Sequence, residues 1–128
     1  MSDLNSLHNR TVWFDIPVAD LDRATSFYAA VLAIPVHQQQ FEQFKFAVLD
    51  HKEGNGGCLV LKEREISSTQ GILVYLNVNQ RIRQAVSLVE GLGGKILEPI
   101  HSIGPHGFRA LILDSEGNRL ALHSPTDA

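Results

Sequence analysis

The chain has 128 residues, 44% of them hydrophobic and 20% charged, with a formal net charge of -3 when the histidines are neutral. That length suits one compact domain with a real core, and the composition excludes wholesale disorder. Without a Lys/Arg run, nucleic acid and anionic membrane are not expected as partners.

Residues 1–10 form a polar tail with no apolar stretch, and apolar runs elsewhere are no longer than a strand. Neither a secretory signal nor a spanning helix is therefore expected, and the cytoplasm is the expected compartment. The single cysteine, Cys58, cannot form an internal disulfide and fits a reducing compartment. From Thr11 onward, Val12, Phe14, Ile16 and Val18 alternate with Trp13, Asp15 and Pro17, the period-two pattern of a half-buried strand. Asp20 has the chemistry of a helix N-cap, and Leu21, Ala24, Phe27, Tyr28, Val31 and Leu32 follow at helical spacing. Pro35 forces that helix to end, because it removes a backbone donor and restricts Ile34 before it. Strands near Val36, over residues 44–49 and over residues 58–61 complete the unit, with a turn at residues 53–57.

The same grammar then repeats at a period of about sixty residues, which fixes architecture before any single motif is weighed. Ile72, Val74, Leu76 and Val78 form a strand face, Asn79 is a candidate cap, and Ile82, Ala85, Val86 and Val89 make a helix stripe. Gly93 and Gly94 end the helix, and strands follow near residues 95–97, 108–113 and 119–123. The turns match too: Asp50, Glu53, Gly54 and Asn55 against Asp114, Glu116, Gly117 and Asn118. One domain over residues 11–128 is expected, with module one at 11–62, a linker at 63–70 and module two at 71–124.

A repeated βαβββ unit, opened by VWFDIPVADLDRATSFY and closed by GPHGFRALILDSEGNRLALHSP, resembles the vicinal oxygen chelate superfamily. That group includes glyoxalase I, extradiol dioxygenases, fosfomycin-resistance transferases and bleomycin-resistance proteins. The resemblance implies an α+β fold in which two βαβββ modules form paired curved mixed sheets around a cavity. It also implies a homodimer in which modules of one or two chains close each cavity. Metal enzymes of the group carry His or Glu on the first and last strand of each module, and matching by motif puts those positions at Trp13, Val60, Leu73 and Ala121. An indole and three alkyl groups offer no lone pair to a divalent ion, and the opposite strand faces are apolar as well. No metal and no cofactor are expected.

If Phe14, Ile16, Val74, Leu76, Leu120 and Leu122 lie under the helices, the alternate positions face the cavity. Those are Trp13, Asp15, Cys58, Val60, Lys62, Leu73, Tyr75, Asn77, Ala121 and His123, a mixture of aromatic surface and a few polar groups that suits a small-molecule ligand. Asp15 and His123 are the candidate catalytic pair, since a carboxylate can hold an imidazole in one tautomer as a general base. Alternatively, Asp15 bonds a neighbouring backbone group or Arg, and His123 is solvated near the chain end. Trp13, Cys58, Val60, Leu73, Tyr75, Asn77 and Ala121 are the candidate ligand-binding residues. Four of them have a structural alternative: cavity filling for Trp13, a small buried apolar role for Cys58, half-exposed strand positions for Tyr75 and Asn77. Lys45 and Arg109 are read as matching exposed strand charges, and residues 103–107 as a flexible lid or turn. Two functions follow: metal-independent binding of a small aromatic or amphipathic molecule, or a metal-free lyase or isomerase acting on a carbonyl compound through Asp15 and His123. The first is favoured, because proton abstraction beside a carbonyl builds oxyanion charge that a metal would otherwise stabilise.

Overall fold

The computed structural model describes residues 8–128, so most of the expected polar tail, residues 1–7, lies outside the described residues. Module one runs β1 (Asp15–Val18), α1 (Leu21–Leu32), β2 (Val36–Phe41), β3 (Phe44–Leu49) and β4 (Cys58–Leu61). Module two repeats it with β5 (Tyr75–Asn77), α2 (Ile82–Val89), β6 (Lys95–Ser102), β7 (Phe108–Leu113) and β8 (Arg119–Ser124). The two four-stranded mixed sheets have matching orders, β1-β4-β3-β2 and β5-β8-β7-β6, with the first pair parallel in each. No helix of the described residues is long and apolar enough to cross a membrane.

Local chemistry explains the boundaries. The Asp20 carboxylate accepts from the Arg23 amide at 3.0 Å, capping α1. Ala33 closes the helix in the left-handed region at φ 55°, ahead of Pro35. Asn79 does not cap α2: Arg81 occupies that position without a side-chain cap, and its Nη1 instead donates to the Val31 carbonyl at 2.6 Å. The two helices are thereby tied end to end. Strands β1 and β5 are shorter than the alternation suggests, starting at Asp15 and Tyr75 rather than Val12 and Ile72. Both are sheet edges, which is why β1 tolerates Pro17, a residue without a donor.

One continuous core holds both modules together. It joins Ile16, Val18, Ala24, Phe27, Tyr28, Val31, Ala47, Leu49 and Leu59 to Leu76, Val78, Ile82, Ala85, Val89, Ala110, Ile112, Leu120 and Leu122. The second turn adds a polar tie. Glu116 accepts from the amides of Ala19 and Asp20 at 3.0 and 2.9 Å and from Arg23 Nε at 2.7 Å, while the Tyr28 hydroxyl donates to Asp114 at 2.5 Å. Asn118 Nδ2 donates to the Pro17 carbonyl at 2.7 Å. The Asp-x-Glu-Gly-Asn motif therefore docks module two onto the start of α1.

Candidate functional site

With Ile16, Leu59, Leu76, Ala110, Ile112 and Leu122 in the core under the helices, alternation turns Asp15, Cys58, Val60, Tyr75, Arg109 and His123 to the other side of each sheet. Each sheet holds a hollow there. On sheet two it measures about 540 Å³ and is lined by Tyr75, Ile103, His106, Arg109 and His123. On sheet one it measures about 530 Å³, with Asp15, Cys58, Val60 and Lys62 among its lining and Phe44 and Phe46 on its wall.

The sheet-two hollow is a pinned polar network beside apolar surface. Arg109 Nη1 donates to the Tyr75 hydroxyl at 2.5 Å, and Arg109 Nε donates to His101 Nε2 at 3.1 Å. His101 Nδ1 lies 2.8 Å from the Pro99 carbonyl, so that nitrogen carries the proton and Nε2 is left to accept. His123 Nε2 donates to the His106 carbonyl at 2.7 Å, which leaves Nδ1 as its open nitrogen, and its ring meets that of Tyr75 edge-on at 6.2 Å. The carbonyl is presented by a short 3-10 turn, Gly104–His106, closed by an Ile103 amide to Gly107 carbonyl bond of 2.9 Å. Residues 103–107 are thus a turn forming one wall. Gly107 is required there: φ is 100°, and a Cβ would meet the Ser124 carbonyl at 2.6 Å.

The sheet-one hollow has a thiol at its floor. Cys58 Sγ donates to Asp15 Oδ1 at 3.2 Å and also receives the indole N–H of Trp13. Burial, helped by the Asp15 carboxylate and opposed by the indole, pushes the thiol up to about 11. Cys58 is held protonated, as a small apolar-lined group and not a nucleophile.

The strand registers correct two readings of the repeat. Asp15 pairs with Cys58 and Tyr75 with Ala121, each three residues beyond its Glu-Gly-Asn turn, so the counterpart of Ala121 is Cys58 and not Val60. Val60 corresponds to His123, which faces Arg109 across the β7–β8 ladder as Phe46 faces Val60 in module one. Arg109 therefore matches Phe46, whereas Lys45 matches Phe108, a residue packed against the core. Lys45 and Arg109 are not equivalents, and Arg109 lines the sheet-two hollow where sequence reading left an exposed strand charge. The apolar residues of Phe108–Leu113 fall on both faces and hide its phase; an ungapped match on the Glu-Gly-Asn turns would have revealed it.

Other expected site residues are distributed. Tyr75 and His123 meet in the sheet-two hollow; Asp15, Cys58 and Val60 line the sheet-one hollow, so one chain does not bring Asp15 to His123. Asn77 lines a third hollow of about 430 Å³ against residues 49–52 and 54–56, and its side-chain oxygen accepts the Asn79 amide at 2.8 Å. Trp13 is half-buried, edge-on to His51 at 5.7 Å, and lines neither sheet hollow; nor do Leu73, half-buried, and Ala121, fully buried. With the register corrected, the positions matched to the metal ligands hold an indole, a thiol and two alkyl groups, and one sulfur donor is too few to hold a divalent ion. Among the described residues no group of three His, Cys, Asp or Glu side chains is placed to hold one.

Residues 10–49 match the family model described as bleomycin resistance protein-like N-terminal. Nothing among curated proteins matches the chain. Among solved structures, a hypothetical protein from S. aureus superposes with a TM-score of 0.70 at 17% identity, covering 91% of this chain and 94% of its own. A glyoxalase/bleomycin resistance protein/dioxygenase family enzyme from Burkholderia phytofirmans gives 0.67 at 16%, covering 88% and 95%. The fosfomycin resistance protein FosX from Listeria monocytogenes gives 0.67 at 12%, covering 92% and 94%. At these identities the likeness is one of fold. The chain therefore has the fold of these glyoxalase, bleomycin resistance and fosfomycin resistance structures, and residues 10–49 carry the bleomycin resistance protein-like N-terminal signature.

Proposed function

We propose that this protein binds a small aromatic or amphipathic molecule without a metal, in a superfamily better known for chelation. One observation carries the reading: the positions that would chelate hold Trp13, Cys58, Leu73 and Ala121, while the hollow beside them offers Tyr75 and Ile103 as apolar surface with Arg109, His106 and His123 as polar groups. In this reading the wall of the sheet-two hollow orients the ligand and its curved sheet excludes water from one face. The test is a thermal-shift screen of aromatic and amphipathic compounds on chelator-treated protein. Stabilisation by a compound without added metal supports the reading; stabilisation that appears only with Ni or Zn overturns it.

A homodimer belongs to the same proposal. Phe41, Phe44 and Leu61 are 66%, 59% and 50% exposed near the sheet-one hollow, and two open hollows on separate sheets would each be closed by the other chain's. The lyase or isomerase reading draws on the fixed orientation of His123, whose open Nδ1 could accept a proton. It requires Asp15 from a second chain, because the two residues line different hollows here. Turnover lost in His123→Ala with binding retained would favour catalysis, and a change in affinity alone would favour sequestration.

A further inference from the structure

We infer that the ligand of the sheet-two hollow carries a carboxylate or similarly compact anion, clamped by Arg109. This rests on the reading that the hollow is the binding site and adds the chemical class of its occupant. Arg109 is half-buried, and both of its partners are neutral acceptors: the Tyr75 hydroxyl and His101 Nε2. Among the described residues no carboxylate bonds the guanidinium, and Nη2 has no hydrogen-bond partner. Glu98 comes nearest in this network, 3.9 Å from His101 Nε2, but its side chain is 54% exposed and it does not line the hollow. The remaining lining is Tyr75, Ile103 and two imidazoles, His106 and His123, with no acidic group.

A guanidinium held rigidly at two nitrogens and left without a counter-charge is preorganised for a bidentate or charge-assisted contact with an anion. Two bonds already fix its plane, so little side-chain entropy is lost when the anion arrives. The Tyr75 ring, whose centroid is 5.9 Å from the Arg109 guanidinium carbon, sets an aromatic surface beside the charge. The sheet-one hollow differs, since Asp15 is present there and offsets part of the charge of Lys45 and Lys62.

The experiment titrates benzoate and its neutral analogue benzamide into the full chain, followed by amide and side-chain NMR shifts of Ile103, Arg109 and His123. Benzoate is expected to shift these resonances and to bind at least tenfold more tightly than benzamide. The difference is expected to vanish in Arg109→Gln and to survive in part in Arg109→Lys. Equal binding of the two probes in the hollow would overturn the anion clamp while leaving the binding site standing. Shifts confined to other surfaces would overturn both. The wild-type comparison of the two probes decides the matter even if a variant fails to fold.

Discussion

Replacing Tyr28 with Phe removes one oxygen from the place where the modules join. Tyr28 and Asp114 are each 1% exposed, and the carboxylate accepts from the Tyr28 hydroxyl at 2.5 Å, the amides of Glu116 and Asn118 at 2.8 Å each, and Asn118 Nδ2 at 2.9 Å. Burial, together with the Asp114 charge, raises the Tyr28 pKa well above its ordinary value, so the phenol stays protonated and remains the donor. Phe keeps the ring packed against Phe27, so the loss is confined to the hydrogen bond. A bond to a charged acceptor with no water to replace it is worth about 1.5–3 kcal/mol. That corresponds to a fall in Tm of roughly 5–15 °C for a chain of this size. Urea unfolding of wild type and Tyr28→Phe measures it directly. A variant within about 0.5 kcal/mol of wild type would show that this bond does not hold the modules together.

Three further outcomes follow from the same geometry. Burial alone would raise the Glu116 pKa, but bonds from Arg23, Ser115 and the Asp20 and Ala19 amides outweigh it and lower it from 4.5 to about 2. Its stabilising contribution is therefore full above pH 4.5 and lost as the pH falls toward 2, so Glu116→Gln should be less stable than wild type at neutral pH and the gap should narrow in that window; a pH-independent gap would refute this. Cys58, with its thiol pushed up to about 11, should react with iodoacetamide at pH 8 roughly two orders of magnitude more slowly than a free cysteine, and mass spectrometry finding it within tenfold would contradict the buried thiol. Gly107→Ala should lower the Tm and disturb the His123 ring resonances, since both the left-handed backbone and the contact with the Ser124 carbonyl forbid a Cβ; unchanged resonances would refute the close approach.

The architecture was legible because strand alternation and helical spacing repeat in both halves, and one-sided burial enforces register. Helix ends with side-chain chemistry, such as Asp20, were readable; Arg81 was not, because its bond reaches the Val31 carbonyl of the other module. Asp15 and Cys58 line the sheet-one hollow, and Tyr75 and His123 the sheet-two hollow. What sequence could not supply was which hollow each would join. Asp15 and His123 belong to different sheets, and strand phase carries no information about distance between sheets. Arg109 was hidden for a related reason: in Phe108–Leu113 both faces are apolar around it, so alternation does not carry its phase, which its pairing with His123 displays. His101 and His106 stood in a strand and a turn without spacing signals, and acquired roles only through Arg109 and His123.

Calorimetric titration of Ni or Zn into chelator-stripped protein tests the central claim most directly. With Trp13, Cys58, Leu73 and Ala121 offering a single sulfur donor among them, no saturable event at one ion per chain is expected. A stoichiometric site, abolished by Cys58→Ser or His123→Ala, would contradict the account.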